Sequence, residues 1–203
     1  TLKELGLDGN TIVIYSADQG FYLGDRGWYD KRWMYEPSLE MPLIVKWPGV
    51  VAPGSRNRDL VQNLDYASTF LEMAGVEIPG DLQGRSLVPL LKGERPADWR
   101  DAIYYHYYEY PSVHMVARHR GVRTDRFKLI HFYQFDEWEF YDLDADPLEL
   151  RSQYDNPVYA ETVASMKERL EELRETYADD SDISAMPLEW REKVRTGGLR
   201  PKP

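Results

Sequence analysis

The hydrophobic positions of the first half of the chain form short runs that do not alternate with polar residues. The run 11–15 is apolar and β-branched, which is typical of a strand buried on both faces of a parallel sheet. The run 43–47 predicts a second strand, which ends at Pro48-Gly49. Ligand sites of open α/β sheets lie at the carboxyl ends of strands. The polar segment 16–20 is therefore the first place where chemistry is expected.

Helical patterns accompany these strands. Residues 2–7 resemble the last turn of a helix that stops at Gly6, and this beginning suggests a chain cut from something longer. Asp65 is placed to cap a helix that ends at Gly75. An irregular stretch rich in Pro and Gly follows. We therefore predict that residues 1–96 are the closing part of an α/β domain.

The second half, residues 97–203, has a different pattern. Three aromatic-rich segments predict strands of an antiparallel sheet; they are 103–110, 121–133 and 137–143. Asn156-Pro157 begins a predicted helix that reaches about Tyr177, and its apolar residues recur at helical spacing. The polar tail to Pro203 is predicted to be extended. The sequence thus predicts a small α+β subdomain, with an antiparallel sheet and a helix, after the α/β part.

Composition excludes several classes of site. The chain has 203 residues, no cysteine and a formal net charge of −10. The lack of Cys excludes a disulfide scaffold, a thiolate zinc site and a cysteine nucleophile within these residues. The acidic balance argues against nucleic acid as a partner, and no apolar run is long enough for a membrane span. Segment 111–131 is locally basic and holds three of the four histidines, which favours an anionic small-molecule substrate.

The densest cluster of candidate residues follows the first strand. Asp18 and Gln19 offer two oxygen ligands to a hard cation such as Ca²⁺. Lys31, beyond a Gly-rich loop, offers a compact positive charge to an anion. Because Ca²⁺ takes about 6–8 oxygens, further ligands would have to come from elsewhere. The alternative is a surface loop in which Asp18 caps a turn and Lys31 pairs with Asp25 or Asp30.

A series of ordered motifs extends this cluster along the chain. They are Tyr15-Ser16-Ala17-Asp18-Gln19-Gly20, Leu23-Gly24-Asp25, Asp30-Lys31-Arg32, Met34-Tyr35-Glu36, Met41-Pro42-Leu43-Ile44-Val45, Asn63-Leu64-Asp65-Tyr66-Ala67-Ser68-Thr69-Phe70-Leu71, Gln83-Gly84-Arg85-Ser86-Leu87, Leu90-Leu91-Lys92-Gly93, and Phe140-Tyr141-Asp142-Leu143 with Asp146-Pro147-Leu148-Glu149. Together they resemble the C-terminal half of a type I sulfatase, a formylglycine-dependent enzyme of the alkaline-phosphatase-like superfamily. The resemblance covers residues 1 to about 178.

The resemblance implies a fold, a cofactor and residue roles. The fold would be the C-terminal part of an alkaline-phosphatase-like domain followed by the α+β subdomain. Asp18 and Gln19 hold the positions of two Ca²⁺ ligands, which two acidic residues near the enzyme's amino terminus complete. Lys31 holds the position of the lysine that binds a sulfate oxygen, and is the catalytic candidate. The nucleophile is a formylglycine made from the motif Cys-x-Pro-x-Arg; its hydrate attacks sulfur and expels the alcohol.

That motif is absent from this chain, so the resemblance places the formylglycine upstream and implies that these residues alone are inactive. Two further candidates for substrate binding are Arg26, where many relatives have His, and His114, beside the basic segment. For His106 and His131, packing within the small sheet is the preferred interpretation. Ser68 replaces the usual Pro, which we expect to be neutral.

The hypothesis is a calcium-dependent sulfatase that hydrolyses a sulfate ester. Its substrate would be a sulfated carbohydrate or other sulfate ester. Such an enzyme is expected in the periplasm, outside the cell or in the lysosome. One alternative is a phosphodiesterase or phosphonate monoester hydrolase on the same scaffold, which a panel of phosphate esters would distinguish. The other is a non-catalytic fragment that binds sulfated glycans. A Cys-x-Pro-x-Arg upstream would favour the enzyme.

Overall fold

The computed structural model describes residues 1–110 and 114–179. The polar tail that the sequence predicts to be extended lies outside these residues. The chain divides into two compact units. Unit 1 comprises Thr1–Lys31 and Tyr35–Ala102; unit 2 comprises Arg32–Met34 and the described residues from Ile103 onwards.

Unit 1 is built from short elements. They are β1 (Val13–Ser16), a 3-10 turn (Asp25–Gly27), α1 (Glu36–Leu39), β2 (Leu43–Lys46), α2 (Asp65–Met73) and α3 (Val88–Leu91). A small core of Leu87, Leu90 and Trp99 is buried beneath the last of these helices. The indole N–H of Trp99 donates to the carbonyl of Leu60 at 3.1 Å, so the one polar atom of that ring is satisfied inside the core.

The two strands of unit 1 pair with each other in antiparallel register, with Val13 opposite Lys46 and Ser16 opposite Leu43. The expectation that β1 is buried on both faces is wrong for the described residues. Val13, Tyr15 and Ile44 are exposed, because the described part of the chain covers only the other face of this pair. The run 11–15 lacks the alternation of apolar and polar residues that is typical of a half-exposed strand, so the sequence did not predict the exposure of Val13 and Tyr15.

Two helical segments of unit 1 end at Gly6 and Gly75, as the sequence predicts. The N–H of Leu7 donates to the carbonyl of Leu2 at 2.9 Å, and Gly6 between them has a φ of +68°. The N–H of Val76 donates to Leu71 in the same way, and Gly75 also has a φ of +68°. Both are Schellman stops, in which a residue without a side chain takes the left-handed position.

Asp65 does not cap α2. It is the first residue of the helix and is fully buried. Its carboxylate accepts two hydrogen bonds from the guanidinium of Arg100, at 2.5 and 2.6 Å, and two more from the backbone N–H groups of Gln62 and Arg85. The buried carboxylate of Asp65 therefore joins Arg100 to two backbone N–H groups by four hydrogen bonds, and its role is to connect these segments rather than to cap the helix. Ser68, which we expected to be neutral, donates to the carbonyl of Gly84 at 2.8 Å.

Unit 2 is a four-stranded sheet with one long helix. The strands are β3 (Ala102–Tyr107), β4 (His119–Thr124), β5 (Phe127–Phe132) and β6 (Glu137–Asp142), in the order β3-β4-β5-β6; a 3-10 turn (Pro157–Tyr159) leads into α4 (Ala160–Thr176). Strands β4, β5 and β6 pair in antiparallel register. The single predicted segment 121–133 is therefore two strands.

The turn between β4 and β5 explains the split. The hydroxyl of Thr124 accepts from the N–H of Phe127 at 3.0 Å and donates to its carbonyl at 3.2 Å, which closes the reversal. The predicted helix is confirmed. The carbonyl of the Asn156 side chain accepts from Val158 N–H, as an N-terminal cap should, and α4 packs on β4 and β5. Its buried face consists of Val163, Met166, Leu170 and Leu173.

Candidate functional site

The loop after β1 is fixed by one buried hydroxyl. Ser38 accepts from the side-chain N–H of Gln19 at 2.8 Å, and its own hydroxyl donates to the carbonyl of Lys31 at 2.6 Å. The same Gln19 nitrogen also donates to the backbone carbonyl of Ser38 at 2.7 Å. A backbone carbonyl only accepts, so the NH₂ of Gln19 must face Ser38 and the amide oxygen must face the opposite way. This network ties both ends of the loop together.

Asp18 and Lys31 meet across the mouth of this loop. The Lys31 ammonium lies 3.7 Å from the Asp18 carboxylate, and the Asp18 side chain is 87% exposed. The backbone carbonyl of Asp18 accepts from the side-chain N–H of Asn63 at 2.9 Å, which anchors the residue while its carboxylate stays in solvent. The partner of the Lys31 ammonium is thus Asp18, whereas the surface-loop alternative pairs it with Asp25 or Asp30.

A close backbone approach explains why glycine follows Gln19. A Cβ on Gly20 would lie 2.2 Å from the carbonyl oxygen of Pro37, which no side chain can tolerate. The N–H of Gly20 also donates to the Ser38 carbonyl at 2.9 Å. The glycine lets the metal-candidate pair Asp18–Gln19 sit directly against the start of α1.

Arg26 occupies the tip of the Gly-rich loop in a left-handed conformation, with a φ of +55°. Its guanidinium lies over the ring of Tyr35, 4.2 Å from the ring centre. A cation stacked on an aromatic face is held by the ring quadrupole. Arg26, which we predicted to contact substrate, is therefore packed on Tyr35 within unit 1.

His114 belongs to unit 2 and is exposed. Its Nε2 lies 2.7 Å from a guanidinium nitrogen of Arg32. Because a guanidinium only donates, this ring nitrogen must accept the bond and carry no proton while the bond exists. The hydroxyl of Tyr105 donates to the backbone carbonyl of Arg32 at 2.7 Å, so the residue beside Lys31 in sequence is anchored on β3.

The other histidines pack the sheet. His106 is almost wholly buried and joins the Asp179 carboxylate at 2.5 Å and the Tyr133 hydroxyl at 3.0 Å. Burial lowers the pKa of His106 and raises the pKa of Tyr133 to about 12. His131 is stacked on Trp138 with ring centres 3.7 Å apart, and burial lowers its pKa too. The prediction that His106 and His131 pack the sheet is confirmed.

The basic segment of unit 2 is largely engaged within the unit. Arg126 pairs with Asp142 at 2.7 Å, and Lys128 is buried beside Glu149 at 2.6 Å. Arg118 donates to the carbonyl of Tyr108. The run of positive charge therefore stabilises this fold, and it gives less support for an anionic substrate than the sequence suggested.

The donor atoms of the loop fit a hard cation in kind but not in number. Asp18 supplies a solvent-facing carboxylate, and Gln19 supplies an amide oxygen turned away from Ser38. Among the described residues, no group of three or more Asp, Glu, His or Cys side chains could hold a metal ion. Two oxygens are a fraction of the roughly six to eight that Ca²⁺ takes, so the described residues supply only part of such a site.

Sequence reasoning missed Ser38 and Asn63. Ser38 orients the amide of Gln19 and holds the backbone carbonyl of Lys31, and Asn63 holds the backbone of Asp18. Ser38 is 19 residues from Gln19 and Asn63 is 45 residues from Asp18, so only the fold brings these pairs together. The motifs that contain or flank them gave no sign of this role.

Comparison with known proteins decides the family. Residues 24–176 match the family model described as N-sulphoglucosamine sulphohydrolase, C-terminal. The chain belongs to the sulfatase family. An N-acetylglucosamine-6-O-sulfatase of Bacteroides thetaiotaomicron is 50% identical over 182 residues, which are 88% of this chain and 33% of the relative. The chain thus spans about a third of the length of that curated relative.

Solved structures agree with this assignment. A protein in complex with its substrate D-glucosamine-2-N,6-O-disulfate has a TM-score of 0.85 and 49% identity, and the match covers 89% of this chain and 37% of that one. The phosphonate monoester hydrolase of Agrobacterium radiobacter has a TM-score of 0.75 and 26% identity, and the match covers 86% of this chain and 37% of that one. The predicted fold class, the C-terminal part of an alkaline-phosphatase-like domain with an α+β subdomain, is confirmed.

The described residues contain no helix that is both long enough and apolar enough to cross a membrane. The similarity to sulfatases suggests, at the level of the family, a metal and a formylglycine.

Proposed function

We propose that this chain is the C-terminal part of a calcium-dependent sulfatase that hydrolyses a sulfate ester on a glucosamine-type sugar. The observation that carries the proposal is the Lys31–Asp18 pair at the mouth of the loop after β1, with Gln19 oriented beside it. The similarity to an N-acetylglucosamine-6-O-sulfatase supports the sugar. When bound, Ca²⁺ and a formylglycine outside this chain would supply charge neutralisation and the nucleophile.

Lys31 would bind a sulfate oxygen. Its ammonium is partly exposed and is held by Asp18, so it can turn from that carboxylate to an incoming anion. Asp18 would at the same time give its carboxylate to the metal. The ion pair thus keeps each charge compensated until metal and substrate arrive, which avoids leaving a bare cation in the site.

Gln19 would give its amide oxygen to the same metal. Ser38 fixes the amide group through its NH₂, so the oxygen is oriented before the metal binds. Such outer partners of a ligand reduce the reorganisation that binding requires. Arg26 and His114 remain proposed substrate contacts, and each would have to leave its present partner, Tyr35 or Arg32, to meet the substrate.

The role of Lys31 is tested in the full-length protein by Lys31→Ala. Because the charge meets sulfate in both the ground state and the transition state, KM should rise and kcat should fall. Lys46→Ala is the matched control, since Lys46 pairs with Asp8 at 3.6 Å and is similarly exposed. Steady-state sulfate release from a 6-O-sulfated N-acetylglucosamine is the measurement. Unchanged kinetics in Lys31→Ala would contradict the assignment.

The metal assignment has its own test. Asp18→Ala should lose Ca²⁺, measured as bound calcium per protein after dialysis, and Asp8→Ala should keep it. Full retention in Asp18→Ala would exclude Asp18 as a ligand. Gln19→Ala should weaken binding less, since a neutral amide contributes less than a carboxylate.

The likeness to a phosphonate monoester hydrolase supports a second candidate, a phosphate-ester or phosphonate-ester hydrolase on the same scaffold. Its substrates also present anionic oxygens to a cation such as Lys31. A panel of matched sulfate, phosphate and phosphonate esters separates the two by kcat/KM. A third candidate, a module that only binds sulfated glycans, requires that the full-length protein bind but not cleave them.

Partners and location follow from the sulfatase proposal. The partner is a sulfated carbohydrate or a related sulfate ester. The location would be the periplasm, the cell exterior or the lysosome, where such substrates occur. Fractionation of cells that produce the full-length protein tests the location.

A further inference from the structure

The loop between Gln19 and Lys31 is an irregular hairpin. The N–H of Tyr22 donates to the carbonyl of Asp30 at 2.8 Å, and the N–H of Gly24 donates to the carbonyl of Trp28 at 2.9 Å. Both bonds fit one antiparallel register. In that register Leu23 is opposite residue 29, and residue 21 is opposite residue 31.

Alternation along the hairpin sorts its side chains onto two faces. Tyr22 and Trp28 share the inner face, where their rings meet edge to face at 5.8 Å and Tyr22 is completely buried. Phe21, Tyr29 and Lys31 share the opposite face with Leu23. The ring contact between Phe21 and Tyr29, at 5.0 Å, supports this assignment.

The outer face exposes an aromatic pair. Tyr29 is 77% exposed and Phe21 is 41% exposed, and their rings pack edge to face. Scattered exposed apolar residues are normal on a protein surface. Two large rings packed together form a continuous apolar surface instead, and Leu23 of the same face is exposed as well.

This apolar surface adjoins the candidate anion site. Phe21 is opposite Lys31 in the register that the two hydrogen bonds of the hairpin define. Tyr29 lies two residues before Lys31 on the same face, about 7 Å along the chain. The Lys31 ammonium lies 3.7 Å from the Asp18 carboxylate. A charged group and an aromatic surface are thus within the span of one small ligand.

We propose that Phe21 and Tyr29 form an aromatic wall against which the sugar ring of the sulfate ester packs while Lys31 holds the sulfate. This inference rests on the proposed function. The ester oxygen joins sulfate directly to the sugar, so the sugar must lie next to whatever binds the sulfate. The C–H groups on a sugar ring are apolar, and aromatic side chains offer them a large rigid surface at low conformational cost.

The test uses the full-length protein and two ligands that share the anion. Tyr29→Ala should raise KM for a sulfated N-acetylglucosamine by about threefold to tenfold, the range for one aromatic contact. The inhibition constant of inorganic sulfate should not change, because sulfate reaches Lys31 but has no ring. Phe21→Ala should act in the same direction. Tyr29→Phe should retain the KM of the parent, since it keeps the ring.

Phe70→Ala is the control for loss of an exposed aromatic ring from unit 1, because Phe70 is 47% exposed on α2. It should leave KM unchanged. The inference is overturned if KM is unchanged in Tyr29→Ala and Phe21→Ala. It is also overturned if KM and the sulfate inhibition constant rise together, which would mean that the rings only support Lys31.

A different occupant of the wall gives a different result. If the rings pack against another part of the full-length protein, Tyr29→Ala should lower Tm while KM stays the same, and this too overturns the inference. Failure of the proposed function is a separate outcome. In that case the parent protein releases no sulfate from any sulfated sugar, before any variant is compared.

Discussion

Lys128 and Glu149 form an ion pair at 2.6 Å with both side chains completely buried. Lys128 comes from β5, and Glu149 comes from the loop after β6, where its φ of +51° is unusual for a residue with a side chain. Glu149 is the last residue of Asp146-Pro147-Leu148-Glu149, one of the motifs that together resemble the sulfatases. The motif therefore supplies a buried charge to the sheet of unit 2.

Removal of one partner of this pair should be costly. Glu149→Ala removes the carboxylate that lies 2.6 Å from the buried Lys128 ammonium, and we expect the free energy of unfolding to fall by about 3–5 kcal/mol. The double variant Lys128→Met/Glu149→Leu removes both charges and should recover most of that loss. Urea unfolding measures both.

The control for this prediction is an exposed pair. Arg169 and Glu172 lie 2.9 Å apart on α4, and Arg169→Ala should cost no more than about 1 kcal/mol. If Glu149→Ala is as mild as Arg169→Ala, the buried pair does not stabilise unit 2.

Asp142 should make unit 2 sensitive to acid. Hydrogen bonds from Arg126, at 2.7 and 3.0 Å, lower the pKa of Asp142 from 3.8 to about 2, and the Tyr159 hydroxyl adds another. A lowered pKa means that the stabilisation is complete above pH 3.8 and is lost as the pH falls towards 2. Asp142→Asn should flatten the stability curve over that range, as measured by urea unfolding between pH 5 and 2.

Asp144→Asn is the comparison for Asp142, since Asp144 also approaches Arg126, at 3.5 Å, but is exposed. It should leave most of the acid sensitivity in place. An identical loss of pH dependence in the two variants would mean that general charge, and not the bonded carboxylate, causes the effect.

His119 should act at a higher pH. It is buried among aromatic rings, and desolvation lowers its pKa from 6.5 to about 4. The unfolded chain therefore takes up a proton below pH 6.5 while the folded chain does so only below about 4, so stability falls between these values as the pH decreases. His119→Phe should make that slope shallower. An unchanged slope would show that His119 is protonated in the fold.

Gly84 should resist any side chain. A Cβ there would lie 2.0 Å from the carbonyl oxygen of Leu64, at the start of α2. Gly84→Ala should reduce the free energy of unfolding by about 1–3 kcal/mol or more. Gly80→Ala has open space and should change it by no more than about 0.5 kcal/mol. Equal Tm values for the two variants would contradict the close approach.

The sequence was informative wherever local chemistry determines structure. The stops at Gly6 and Gly75 need a left-handed residue, and Asn156 caps the 3-10 turn that leads into α4. The apolar spacing in α4 also predicted its buried face. These features depend on residues within one or two turns of each other, so one sequence suffices to find them.

The errors concern contacts between distant residues. The pairing of β1 with β2 depends on which strands are present, and an apolar run looks the same in either case. Asp65 resembled a cap because nothing nearby shows that Arg100 will meet it. The same is true of the site: Asp18, Gln19 and Lys31 were found by motif, while Ser38, which hydrogen-bonds two of them, was not.

The tripeptide Arg32–Met34 belongs to unit 2 although its neighbours on both sides belong to unit 1. Trp33 stacks on His119 with ring centres 5.6 Å apart, and Met34 is fully buried. A DNA segment that encodes only residues after 102 would therefore specify a sheet that lacks part of its own interior. Recombination at a breakpoint after residue 102 would not transplant unit 2 intact, because Arg32–Met34 would be left behind.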